Sequence, residues 1–158
     1  MTDAGAARRV HIENASIDHA EGMARLHGSL FDEPWSTSGF RQLLEHPGSL
    51  AFLATASDAA EPIGVIVGRV AADEAELLTL GVHAHCQRSG IGRRLVEALC
   101  QAAREAKARR LYLEVAAGNI AALRLYERLG AMETGRRKAY YQRPDAPAED
   151  AVTLAIPL

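Results

Sequence analysis

The six residues Gln87-Arg88-Ser89-Gly90-Ile91-Gly92 stand where an apolar run ending at Val82 gives way to a periodic one that opens on Ile91 and Leu95. Two glycines let the backbone turn tightly and come close to a ligand, and a helix starting there points successive N–H groups at one place. The chemistry such a loop can do is to hold an anion, above all a phosphate. A glycine-rich turn of this composition can equally be a plain turn, so the surrounding elements decide. Downstream, Leu113-Glu114-Val115 and the run from Asn119 to Tyr126 add a carboxylate, a carboxamide and a phenol.

With 158 residues, 48% of them hydrophobic, the chain is expected to form one domain with a proper core, residues 1–8 being a flexible tail. A net charge of −2 offers no overall basic field, so no direct nucleic-acid binding is expected. Cys86 and Cys100 lack metal-ligand spacing and are too few for a disulfide framework, which fits a reducing cytoplasm. No metal is expected. The N-terminal residues lack the apolar run of a signal peptide and no window is long enough to span a bilayer, so no membrane partner is expected either.

The elements that must position the loop can be read in chain order. Val10 and Ile12 alternate in a first strand within residues 8–15. Ser16 is placed to cap a helix running to Phe31, with Ala20, Met23, Ala24, His27 and Leu30 at helical spacing. Ser36 caps a second helix over residues 37–46, stopped by Pro47-Gly48. Strands over 50–55, 63–70 and 76–82 follow as a meander, with turns at 57–62 and at Asp73-Glu74. From Gly90 to Lys107 a helix buries Ile91, Leu95, Ala98, Leu99 and Ala102 and solvates Arg93, Arg94, Glu97, Arg104 and Glu105. A strand over 111–115 comes next, then a helix over 119–129 with Ala122, Leu125, Tyr126 and Leu129 inward. Two last strands, 132–142 and 152–156, are joined by a turn through Pro144, Ala146-Pro147 and Glu149-Asp150.

Seven strands and four helices in this order describe an α/β (α+β) fold with a mixed, mostly antiparallel central sheet. A parallel pair must form across the helix that follows the glycine loop, since short connections make that unit a right-handed crossover. A dinucleotide-binding fold would need more alternating strand-helix units, and the meander argues against it. A nucleoside-triphosphate loop is excluded because no Lys-Ser or Lys-Thr follows Gly92.

Taken together, Gln87 to Gly92, Leu113-Glu114-Val115 and Asn119-Ile120-Ala121-Ala122-Leu123-Arg124-Leu125-Tyr126-Glu127-Arg128-Leu129-Gly130 resemble the GNAT superfamily of acetyl-CoA-dependent N-acetyltransferases. The likeness is nearest to its bacterial members that acetylate the N-terminal alanine of a small-subunit ribosomal protein. Pro34-Trp35-Ser36, Arg136-Arg137-Lys138-Ala139-Tyr140-Tyr141 and Glu149-Asp150-Ala151 extend it from about Ile12 to the C-terminus. The resemblance implies the GNAT fold, acetyl-CoA as co-substrate, the N-terminus of a ribosomal protein as partner, and a cytoplasmic monomer or weak dimer. It implies that Leu80, Gly81 and Val82 offer backbone hydrogen bonds to a pantetheine arm and that the loop Gln87, Arg88, Ser89, Gly90, Ile91, Gly92 and Arg93 holds a pyrophosphate. Arg88 and Arg93 either add charge there or are solvated at a helix start.

Acetyl transfer needs a neutral amine, a stabilised oxyanion and a proton for the departing thiolate. An α-amine has a pKa near 8, so its base has a modest task. The resemblance assigns that task to Glu114, which otherwise reads as a carboxylate in a surface ion pair, and the acid to Tyr126, which otherwise reads as a packed tyrosine. Asn119 caps its helix, bonds the pantetheine, or does both. Trp35 either walls the acceptor groove or anchors two helices, and strand alternation lets one of Tyr140 and Tyr141 face that groove. His83 and His85 follow the cofactor strand and read as turn residues before they read as a proton relay. Arg136-Arg137-Lys138 reads first as a solvated strand end.

Two departures from the family pattern bear on the acceptor. Ala131 stands where an aromatic is common, and Ala116-Ala117-Gly118 replaces a bulkier, more polar segment. Two other readings therefore stay open: a small amine, antibiotic or lysine side chain as acceptor, and a non-catalytic acyl-CoA-binding sensor.

Overall fold

A computed structural model describes residues 8–158. The expected tail falls outside the described residues except for Arg8, which pairs with Asp58 at 2.8 Å and donates to Cys86 Sγ at 3.2 Å. In order the elements are β1 (Val10–Asn14), α1 (Ala20–Leu30), α2 (Thr37–Glu45), β2 (Ser49–Ala56), β3 (Gly64–Ala71), β4 (Glu74–Val82), α3 (Ile91–Glu105), β5 (Arg110–Ala116), α4 (Ile120–Arg128), β6 (Met132–Arg143) and β7 (Ala146–Pro157). The strands form one seven-stranded sheet in the order β1-β2-β3-β4-β5-β7-β6. The expected mixed sheet and four helices are thus observed, the β4/β5 pair being parallel and the β1/β2, β5/β7 and β6/β7 pairs antiparallel. The described residues cluster into two compact units, one of residues 8–67 with Thr79–Leu99, the other of Gly68–Leu78 with Cys100–Leu158.

In the first unit, β1 lies against β2 in the register Val10↔Ala56 to Asn14↔Phe52. Ser16 does not open an α-helix directly: a 3-10 turn over Ile17–His19 precedes α1, and the Ser16 N–H donates to His19 Nδ1 at 2.9 Å. Ser36 caps α2 as expected, its hydroxyl accepting from the Gly39 N–H at 3.1 Å. Phe40, Met23, Leu53, Ile66 and Leu95 are fully buried and form the apolar interior.

Along α3 the buried stripe is Ile91, Leu95, Val96, Leu99, Cys100 and Ala103, whereas the expected Ala98 and Ala102 are half-buried. The stripe is rotated toward the Val96-Cys100-Ala103 row, where Val96 and Cys100 remove more apolar area from water than Ala98 and Ala102 would.

In the second unit, β5 pairs with β7 from Arg110↔Pro157 to Ala116↔Ala151, and β7 pairs with β6 on its other side. The expected broad turn is corrected here: Ala146-Pro147 and Glu149-Asp150 belong to β7. Pro147 is tolerated because the β5 ladder begins only at Ala151, so at Pro147 the strand has β6 alone beside it and the missing N–H can face outward. A second correction concerns Glu74, which joins β4 opposite Arg110, the turn being made by Ala72 at φ +54°.

Candidate active site

β4 and β5 are registered only through Glu74, Ala75 and Glu76 against Arg110, Leu111 and Tyr112. Among the described residues, β4 from Leu77 onward therefore has no ladder partner on β5, Leu80, Gly81 and Val82 included. Gly81 packs closely under α1: a Cβ there would meet Leu30 Cδ1 at 2.9 Å and the Phe31 ring at 3.4 Å, so a larger residue would need the Leu30 side chain to shift.

The loop after β4 is held by its own side chains. Gln87 Nε2 donates to the Val82 carbonyl at 3.0 Å, and the Ser89 hydroxyl donates to the Cys86 carbonyl at 2.5 Å. Left-handed backbone falls at Arg88 (φ +61°) and Gly90 (φ +82°), while Gly92 lies inside the first turn of α3. Sequence reasoning missed that an arginine takes one of these two conformations. The Arg94 N–H donates to the Gly90 carbonyl at 3.1 Å, so the amides from Arg88 to Arg93 stand ahead of the helical ladder. The Gln87 and Ser89 side chains are both spent on carbonyls of the chain itself. Arg93 is engaged with Glu97 at 2.9 Å, which is the solvated reading of that residue.

His83 and His85 belong to the turn entering this loop, the His85 N–H donating to His83 Nδ1 at 3.3 Å. Behind β4 lies a residue the sequence did not single out for chemistry. His27, only 2% exposed, stacks on Phe31 at 4.2 Å and on Trp35 at 5.1 Å. Its Nδ1 accepts from the Trp35 N–H at 3.0 Å, so the proton sits on Nε2, 3.1 Å from the Thr79 hydroxyl of β4. Burial pushes the His27 pKa below its ordinary value, which keeps the ring neutral and both bonds made. Trp35 is accordingly packed as an anchor, with its half-buried ring also 5.5 Å from Phe40.

In the second unit, Asn119 caps α4 by accepting from the Ala122 N–H at 3.2 Å, leaving its amide group unspent in that bond. Tyr126 is the buried residue of α4, 5% exposed. Burial raises its phenol pKa well above the ordinary value, so it carries its proton at any physiological pH and can act as a donor.

Glu114 lies within β5, with a side chain 28% exposed and an oxygen 2.9 Å from Arg137 Nε. Arg137 in turn lies 5.1 Å from the centre of the Tyr140 ring, which meets the Tyr141 ring edge-on at 5.2 Å. Ala139, at φ +50° in an irregular stretch of the β6/β7 register, breaks the alternation expected for the two tyrosines. Tyr140 is exposed and Tyr141 half-buried. The basic run is exposed as expected but lies inside β6 rather than at its end, and two of its members are ion-paired: Arg136 with Glu133 at 3.1 Å and Asp150 at 3.7 Å, and Arg137 with Glu114. Glu149 accepts from the Gly118 N–H and from Arg143, tying the turn before α4 to β6. Among the described residues, no group of three or more His, Cys, Asp or Glu side chains could hold a metal, and no helix is long and apolar enough to cross a membrane.

The mixed seven-stranded sheet and four helices agree with the comparison to known proteins. The chain belongs to the acetyltransferase (GNAT) family, whose model matches residues 20–131. It is 40% identical over 92 residues to the ribosomal protein bS18-alanine N-acetyltransferase of Escherichia coli (strain K12), a match spanning 58% of this chain but only 62% of that enzyme's length. To the N-alpha-acetyltransferase RimI of Mycobacterium tuberculosis it is 35% identical over 133 residues, 82% of each chain. The crystal structure of the ribosomal-protein-S18-alanine N-acetyltransferase from Escherichia coli superposes with a TM-score of 0.85 at 30% identity, covering 94% of both chains.

Proposed function

We propose that the protein is an acetyl-CoA-dependent N-acetyltransferase of the cytoplasm whose acceptor is a protein N-terminal α-amine, in the manner of the bS18-alanine enzymes it resembles. The observation that carries the reading is the open edge of β4 from Leu77 onward, continuing into the amides of Arg88 to Arg93. The backbone of Leu80, Gly81 and Val82 can bond the amides of a pantetheine arm, and the loop from Gln87 to Arg93 can hold its pyrophosphate with helix-start N–H groups. Asn119 has an amide group to offer the same arm. Acetyl-CoA supplies the activated acyl group; what the chain supplies is position and two proton sites. Glu114 takes the proton of the attacking amine, and Tyr126 gives one to the departing sulfur. Half-buried Trp35, besides its anchoring role, and Tyr140 and Tyr141 are the acceptor-side residues of this reading.

Amine dependence tests the enzyme reading: thiol release from acetyl-CoA should require an added amine. Glu114→Gln should lower the rate on an α-amine peptide by about 10- to 100-fold near pH 7. The deficit should shrink above pH 8, where the amine is already neutral. A constant ratio between the two proteins' rates from pH 6.5 to 9 would instead make Glu114 a structural partner of Arg137.

Gly90→Ala tests the cradle separately. An added Cβ at Gly90 meets nothing within 4 Å, so the cost is the left-handed backbone alone, about 1–2 kcal/mol. Melting should fall by roughly 4 °C, with a weaker acetyl-CoA affinity measured by calorimetry and an unchanged affinity for the acceptor peptide.

A further inference from the structure

The Glu114–Arg137 pair has a geometry that its sequence neighbours do not explain. In the sheet order β5-β7-β6 the two residues lie two strands apart, Glu114 opposite Thr153 and Arg137 opposite Ala151. Residues opposite one another in a ladder share a face, and so do positions two apart on a strand, so Glu114, Thr153, Ala151 and Arg137 all lie on one side of the sheet. Ala116, also opposite Ala151, and Gly135, opposite Thr153, complete a floor of small residues. Across this floor the long Arg137 side chain reaches the carboxylate unhindered. Tyr140 stands 5.1 Å from its guanidinium, and Tyr141, opposite Glu149, shares the same face.

A carboxylate with aromatic rings beside it is a site for a cation. It is filled here by a side chain of the same chain. That side chain is 61% exposed, held by one ion pair and one ring contact, and belongs to the edge strand β6. Exposed ion pairs of this kind shift an equilibrium by factors of roughly 2–5, so another cation can replace it at small cost. Resting on the proposed N-terminal acceptor, we propose that Arg137 occupies in the free protein the place on Glu114 that the acceptor's α-ammonium takes on binding, and that its displacement sets acceptor affinity. Arg137 is then a specificity-determining residue: it excludes weak cations and yields to an ammonium that the rest of a peptide helps to hold. When the ammonium has replaced the guanidinium, Glu114 is left in contact with the group whose proton it must take.

The test is peptide binding in the presence of CoA, by calorimetry, for the wild type, Arg137→Gln and Arg137→Lys. The probes are a short peptide with a free N-terminal alanine and the same peptide with that amine acetylated. Arg137→Gln should bind the free-amine peptide about 3- to 5-fold more tightly and the acetylated one as the wild type does. Arg137→Lys, which keeps a competing cation, should stay near the wild type. In the wild type itself, the Arg137 Nε–H resonance should shift when the free-amine peptide is added and stay in place with the acetylated one, a readout that no variant's folding can obscure. Unchanged or weaker binding to Arg137→Gln, an equal gain for the acetylated peptide, or an unmoved Nε–H resonance would overturn the proposal. Peptide acetylation by the wild type, measured alongside, separates this from the function itself. Turnover without tighter binding removes the displacement alone, and tighter binding without turnover removes the N-terminal-acceptor reading alone.

Discussion

Tyr126→Phe should lower kcat by about 10²- to 10³-fold while acetyl-CoA binding stays within a few-fold of wild type. The substitution removes one oxygen from a residue that is 5% exposed and keeps the ring that packs there, so the fold should be little affected. Burial raises the phenol pKa, which at first sight makes Tyr126 a poor donor to a thiolate whose ordinary pKa is near 8.5. A thiolate formed beside the phenol would be desolvated as well, and desolvation penalises either anion, so the difference in solution values overstates the barrier to transfer. Steady-state rates with saturating peptide and separate acetyl-CoA titrations check this. A fall in kcat of less than tenfold with normal binding would mean that solvent protonates the sulfur and that Tyr126 only packs.

Phe40→Ala should cost about 3–5 kcal/mol of stability, roughly 10 °C in melting temperature for a chain of this size. Phe40 is fully buried on α2, edge-on to His27 at 5.4 Å and 5.5 Å from Trp35, so its removal empties the space that holds two other rings. The chain has one tryptophan, and its emission reports the same cluster: Trp35 fluorescence should shift to longer wavelength in the variant before global unfolding. His27 anchors the cluster to Thr79 on β4, so acetyl-CoA affinity should weaken as well. Normal melting in Phe40→Ala would show that the cluster collapses around the gap at little cost.

The local signals in the sequence were the readable ones. Ser36 and Asn119 each cap the helix they precede, and the glycine loop lies between β4 and α3 as its spacing requires. What depends on distant pairing was not legible. Pro147 and Glu149-Asp150 look like a turn to any local rule, and only a β7 with one neighbour at that end makes a strand of them. Likewise Arg136-Arg137-Lys138 is solvated as its composition suggests, yet only the register of β6 on β7 shows that Arg137 reaches Glu114 across an intervening strand. His27 has helical spacing in the sequence, yet nothing local tells that Thr79 will come within 3.1 Å of its ring. The carboxylate, the phenol and the glycine loop could therefore be singled out by residue type and family resemblance, while the partners they have in the fold could not.

The most direct measurement is acetyl transfer from acetyl-CoA followed by mass spectrometry on a panel: an alanine-first peptide with a free α-amine, the same peptide with that amine blocked, and a set of small amines. One added acetyl group on the free-amine peptide, none on the blocked one and little on the small amines is the predicted result. Modification of the small amines alone, or acetyl-CoA binding with no transfer to any of them, would contradict it.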